Sequence, residues 1–301
     1  MSESIISIQN LVKRYSAFTA VNGANLEIRR GEVFGLLGPN GAGKTTTLEC
    51  LEGMRRADAG HIRIAGCDPF REASVLRKKL GVQLQSSSLP ESILVGEALE
   101  LTEAWSSDSA PEGLIEEFGL QDLIKKQYRQ LSTGQKRRLN LALALVKNPE
   151  VVVLDEPTAG LDVQSRALLH DKIRKIRAQG VTVLLATHDM AEAEDLCDRI
   201  AILLNGKIAV CGTPEEVTAA GNQETRIRLR TARGSLLPGS DLSGAAFVRE
   251  KDGYLEWKCR DLVLTITELF RQISDREDSV DDLRVERPSL EERFLELVKG
   301  A

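Results

Sequence analysis

Nine residues at positions 38–46, GPNGAGKTT, leave this chain few architectures to choose from. They match the phosphate-binding pattern G-x-x-x-x-G-K-[ST] and follow the apolar run Val33–Leu37. Such a loop works where a buried strand delivers it and a helix leaves it, because phosphates rest on backbone N–H groups gathered at the helix start. Gly38, Gly41 and Gly43 give the backbone the freedom to wrap them. Lys44 supplies a mobile positive charge for the β- and γ-phosphates, and Thr45 a hydroxyl for Mg²⁺. Pro39, Asn40, Ala42 and Thr46 complete the expected nucleotide contacts.

The rest of the first two thirds fits the strand–loop–helix unit that this loop demands. EVVVLDEP and GVTVLLATHD are apolar, β-branched runs of strand length, each preceded by a helical stretch. They read as buried parallel strands, so the core is predicted to be α/β with a mainly parallel sheet. SIISIQ, NLEIRR, GHIRIAG and LGVQLQ read as further short strands, residues 92–145 as mostly helical, and Asn205-Gly206 as a hairpin turn. Ligands gather at the carboxyl ends of parallel strands. Asp155 can hold Mg²⁺ there through its water shell, and Glu156 can polarise or deprotonate a water, unless both merely cap the turn before Pro157. His188 ends its strand as Asp155 does; position alone leaves it between a satisfied polar residue and a phosphate contact.

Composition narrows the function classes. A net charge of −5 and an aromatic content of 4% supply neither a basic field nor base-stacking platforms, so no nucleic-acid partner is expected. The longest apolar runs, such as Val151–Leu154, fall far short of a membrane span. The five cysteines form no C-x-x-C pair and their number is odd, which favours reduced thiols over a disulfide framework or a zinc site. The N-terminal residues lack the pattern of a secretory signal.

A second phosphate-binding feature stands at LSTGQKRRL, residues 131–139. Ser132, Thr133 and Gly134 precede a helical stretch, combining a hydroxyl with open N–H groups. One phosphate loop needs no such companion in its own chain. Composition then changes near Ala219–Asn222. TRIRLR, AAFVRE and YLEWKC read as strands, with Asp252-Gly253 as a hairpin turn, and Leu262, Ile266, Leu269, Phe270 and Ile273 share helical spacing. Ser289 and Glu292 form a capping-box pattern ahead of a helix whose Leu290, Phe294, Leu297 and Val298 share a face. Residues 221–301 are therefore expected to form a small α+β accessory domain without catalytic residues.

Together and in this order, the motifs of residues 5–220 resemble the ATP-binding cassette (ABC) ATPases. GPNGAGKTT is similar to their Walker A loop, Val151–Glu156 to the Walker B strand, AGLD at 159–162 to the D-loop, and His188 to the switch histidine. Gln85 stands at the Q-loop position and Tyr15 where an aromatic ring stacks on adenine, with Phe18 as a rival. LSTGQ resembles the signature LSGGQ, departing from it at Thr133. The resemblance implies a P-loop cassette at 1–220 with an N-terminal antiparallel β-subdomain and a helical subdomain at about 86–145. It implies ATP and Mg²⁺, with Thr45, Gln85 and Asp155 around the metal, Glu156 positioning water and His188 stabilising γ-phosphate charge. It also implies that two cassettes pair head to tail, so that the signature residues Ser132, Gly134 and Gln135 serve nucleotide held by a second cassette, expected to be another copy, and that Asp162 of the D-loop is a further nucleotide contact.

The tail VDDLRVERPSLEERFLELVKG resembles the ends of drug-resistance, antibiotic-efflux and sodium-efflux ATPases. Those pair with a separate multi-span permease at the cytoplasmic face of the membrane, and an exporter subunit that hydrolyses ATP is the expected function. The alternative is a soluble ATP-driven remodelling factor of the same family. A P-loop kinase or GTPase leaves Leu131–Gln135 and His188 unexplained, and no Asn-Lys-x-Asp motif is present.

Overall fold

The computed structural model describes residues 3–84, 89–105, 111–221, 224–236, 242, 244–286 and 288–299. They fall into two compact units, one running to Pro214 and the other starting at Glu215, slightly ahead of the compositional change.

The first unit opens with a long hairpin, β1 (Ser4–Tyr15) and β2 (Phe18–Arg29), followed by β3 (Val33–Leu37), α1 (Lys44–Leu51) and β4 (Ala59–Ile64). Next come α2 (Ala73–Lys79), β5 (Leu80–Gln83), α3 (Val95–Ala104), α4 (Leu114–Glu117) and α5 (Thr133–Leu145). The unit continues with β6 (Val151–Asp155), α6 (Val163–Ala178), β7 (Thr182–Thr187), α7 (Met190–Leu196), β8 (Arg199–Leu204) and β9 (Lys207–Gly212). One sheet runs β5-β6-β7-β3-β8-β9, parallel except for β9, and an antiparallel sheet runs β2-β1-β4. Every residue of β3, β6 and β7 is buried, as expected of parallel strands covered on both faces. Ile6, Ile8 and Ile28 of the antiparallel sheet share one apolar cluster with Phe34, Leu36, Leu48 and Val153. The Asn205-Gly206 hairpin forms as expected, with both residues at positive φ.

α8 (Pro214–Ala219) spans the boundary. The second unit contains β10 (Thr225–Thr231), β11 (Ala245–Lys251), β12 (Tyr254–Cys259), α9 (Leu262–Asp275), β13 (Val280–Glu286) and α10 (Leu290–Lys299). Its antiparallel sheet has the order β11-β12-β10-β13. Alternate residues Ile227, Leu229, Leu255 and Trp257 pack with Leu269 and Ile273 of α9. Strand β13 was not foreseen: it lies at a sheet edge, and its half-exposed sequence VDDLRVE lacks an apolar stripe. The Ser289 cap of α10 is present, with its Oγ accepting from the Glu292 N–H at 3.2 Å. Leu290 is buried, but Val298 on the same expected face is exposed.

Among the described residues, no helix is long and apolar enough to cross a membrane. All five cysteines are free thiols, and only Cys211 is exposed.

Candidate nucleotide site

Three adjoining strand ends build the site. β3 runs into the loop whose Gly43, at φ 106°, starts α1 without any side-chain cap. A Cβ there would lie 2.3 Å from the Ala20 carbonyl oxygen, so only glycine fits. The first N–H groups of α1 are thus left for a ligand. Lys44 is buried and folds back over the loop, donating to the Gly38 carbonyl at 2.7 Å and the Pro39 carbonyl at 3.3 Å. Ala42 is buried within the same loop.

Register brings the other groups to the same level. Asp155 at the end of β6 lies opposite Ala186 of β7, which also faces Leu36 of β3. The Thr45 hydroxyl donates to Asp155 Oδ2 at 3.2 Å. Glu156 then turns into the left-handed region, φ 49°, while its N–H donates to the Ala186 carbonyl at 2.9 Å. A non-glycine residue in this conformation costs on the order of 1 kcal/mol and persists where surrounding contacts enforce it. His188, one residue beyond β7, brings Nδ1 to 2.8 Å from Glu156 Oε1. An ionised carboxylate only accepts, so Nδ1 carries the hydrogen and Nε2 is left for another partner.

Tyr15, Pro39, Asn40, Gly41, Gly43, Lys44, Thr45, Thr46, Asp155 and Glu156 line one cavity of about 220 Å³ with Phe18 and Ala20. Lys13 and Arg55 lie over the Tyr15 ring, 5.7 and 5.4 Å from its centre, whereas Phe18 exposes 60% of its surface. Both aromatics are therefore within reach of a base entering the cavity. Burial pushes the Lys44 ammonium below its ordinary pKa, and the Glu156 and Asp155 carboxylates oppose that shift. Burial raises the Asp155 pKa; the Thr45 hydrogen bond opposes the rise and the Glu156 charge adds to it.

The signature residues lie elsewhere. Ser132 caps α5, its Oγ accepting from the Gln135 N–H at 3.3 Å, while Gln135 Oε1 accepts from the Ser132 N–H at 2.9 Å. Gly134 lies against α6: a Cβ on it would sit 2.7 Å from Ser165 Oγ. Asp162 caps α6, accepting from the Ser165 N–H and hydroxyl at 2.8 and 2.9 Å. Gln85 lies outside the described residues.

A family model for the ABC transporter matches residues 21–159. The daunorubicin resistance ATP-binding protein DrrA3 of Streptomyces coeruleorubidus is 35% identical over 99% of this chain and 96% of its own length. The chain belongs to the ABC transporter family. It is an ATP-binding subunit with the cassette fold. The Nod factor export ATP-binding protein I of Ralstonia nicotianae is 41% identical over 72% of this chain and 69% of its own. A solved ATP-binding cassette, dimeric and bound to ADP and Pi, matches 69% of this chain and 98% of its own at 25% identity and a TM-score of 0.63.

As expected of this family, the site suits Mg²⁺. Asp155 Oδ1 is buried without a hydrogen-bond partner and Oδ2 is bonded to Thr45, an all-oxygen set for a hard cation.

A buried network beside the cassette site was not legible in the sequence. Thr158 Oγ1 donates to Glu192 Oε1 at 2.8 Å, and His170 lies 3.4 Å from that oxygen and 2.9 Å from Asp195 Oδ2. Burial disfavours charged His170, but the nearby carboxylates of Glu192 and Asp195 outweigh that and raise its pKa. Asp189 with Glu192 has capping-box spacing just after His188, a sequence signal for the start of α7 but not for its partners on α6.

Proposed function

We propose that this chain is the ATP-hydrolysing subunit of a membrane exporter, working as a pair of cassettes at the cytoplasmic face of the membrane beside a separate multi-span permease. The observation that carries the reading is the division of phosphate-binding groups. The loop, Asp155 and Glu156 line one cavity, with His188 bonded to Glu156, while Ser132, Gly134 and Gln135 are not among its lining residues. A second copy, turned head to tail, would bring its signature to this cavity. The efflux side of the proposal is supported by the relatives in daunorubicin resistance and Nod factor export.

The residues then divide the work. Thr45 and Asp155 would hold Mg²⁺, which neutralises phosphate charge when bound. Lys44 exchanges its loop carbonyls for β- and γ-phosphate oxygens. Glu156 orients and deprotonates the attacking water, and His188, oriented by Glu156 through Nδ1, turns Nε2 toward the γ-phosphate. Ser132 and the Gly134 N–H grip the γ-phosphate from the second copy. Losing two such charge-assisted hydrogen bonds on hydrolysis costs about 3–6 kcal/mol. That shifts an open–closed equilibrium by on the order of 10² to 10⁴. Closure on ATP and opening on ADP thus form a mechanical cycle.

The test is to tag Glu156→Gln in the native host, solubilise membranes in mild detergent with Mg-ATP, and identify what co-purifies. A polytopic membrane protein is the expected companion. Recovery solely with soluble assemblies would move the chain to an ATP-driven remodelling role.

A further inference from the structure

Arg166 stands one turn beyond Asp162 on α6. Its Nη1 donates to Asp189 Oδ2 at 2.9 Å, and its buried Nε has no acceptor. Among the described residues, Asp189 is therefore the group that holds this guanidinium. Asp189 directly follows His188, and its own position is tightly set. Its Oδ1 caps α7 by accepting from the Glu192 N–H at 3.1 Å, and its N–H donates to Thr187 Oγ1 at 3.0 Å. The Arg166 contact thus reaches the turn from which His188 extends to Glu156.

The opposite neighbour on the same helical turn faces another motif. Ser165 closes on Asp162 through two hydrogen bonds and lies near Gly134, where an added Cβ would come within 2.7 Å of its Oγ. Consecutive residues of α6 therefore touch the start of the signature helix and the switch turn. The ion pair itself is 41% and 29% exposed at its two ends, a setting in which it adds little to stability. Its geometry is specific where its energy is small, which suits orientation better than scaffolding.

We propose that Arg166 is a positioning residue for ATP hydrolysis. It holds Asp189, and through it the His188 ring on Glu156, in step with the D-loop and signature helix that pack on the same turn of α6. A shift of α6 as a second cassette engages Asp162 or Gly134 is thereby passed to the switch histidine of this chain's own site. The inference rests on the ATPase reading above.

The experiment is a mutant cycle on the purified full chain, read as kcat and KM for Mg-ATP. Arg166→Gln removes the pair, and Asp189→Asn keeps the helix cap but removes its charge. Each should lower kcat about 10-fold with KM within about 2-fold, because a small misplacement of a reacting group acts on the chemical step. The double variant should be no slower than either single one, and Arg166→Lys should recover part of the loss. Placed in a His188→Ala background, Arg166→Gln should change the residual rate no further. A further loss in that background, or unchanged turnover in Arg166→Gln alone, would overturn the inference. Should Arg166→Gln fail to fold, Arg166→Lys and Asp189→Asn complete the same cycle. A wild-type chain without turnover would remove the ATPase reading as well, a result distinct from additive losses in an active enzyme.

Discussion

The two helix starts that can bind phosphate are built in opposite ways. α1 begins at an uncapped Gly43 inside a walled cavity, with Lys44 buried beside it. α5 begins at exposed Ser132 and Thr133 and caps itself through Ser132 and Gln135. The first leaves its N–H groups open because a ligand is to fill them, and it bears the burial of charge that such a cradle requires. The second is stable without a ligand and has no wall of its own. A complete cradle and a self-sufficient half-site in one chain make sense when the missing wall belongs to another copy.

The strongest way to break this comparison lies in the first region. Glu156→Gln should lower turnover about 10²- to 10⁴-fold, the range of a lost general base, while nucleotide binding persists. Steady-state phosphate release and equilibrium binding of ATP check the two halves of that statement. The next effect probes the second region. Gly134→Ala would press a Cβ to 2.7 Å from Ser165 Oγ and 3.1 Å from its Cβ, so that the hydroxyl must turn off Asp162 or α5 and α6 must shift, at a cost of about 1–3 kcal/mol. Turnover should fall by roughly 10- to 100-fold, with ATP binding by the separate chain unchanged, and Ser165→Gly should restore part of it.

The far end of α1 carries the first region's burial cost in its plainest form. Both carboxylate oxygens of Glu52 are buried without a hydrogen-bond partner, and burial, with Asp155 and Glu49 adding, raises its pKa to about 7. A carboxyl raised in the folded state holds a proton that the unfolded chain has released. Its stabilising contribution is therefore complete below about pH 4.5 and is lost as pH rises to about 7. Glu52→Gln should then be more stable than wild type at pH 8 by on the order of 2–3 kcal/mol and close to it near pH 4.5. Chemical unfolding at the two pH values measures the difference. The smallest effect belongs to the self-capped helix: Ser132→Ala should cost about 1 kcal/mol of stability through the lost cap, read by chemical unfolding.

The two regions also differ in how far they could be read from the sequence. Gly43, Lys44 and Thr45 act through local backbone chemistry, so their spacing alone announces the loop. Asp155 was legible as the polar end of an apolar strand, whereas position alone left the role of His188 open. Resemblance, rather than spacing, suggested the trans role of Ser132. Arg166 was hidden among the other basic residues of α6, because what distinguishes it is Asp189, which packing alone brings near. The same holds for His170, whose partners Glu192 and Asp195 lie on another helix. β13 was missed because an edge strand needs no apolar face of its own.

The central claim is that each ATP is held by two copies, and mixing two crippled chains tests it most directly. Lys44→Ala should disable the phosphate loop and Ser132→Arg the signature, leaving each variant inactive alone. In a mixed pair, one of the two composite sites combines an intact loop with an intact signature. The account, with each composite site turning over independently, predicts that an equimolar mixture regains about a quarter of wild-type ATPase activity. A mixture as inactive as its components, although mixed pairs form with ATP, would contradict it.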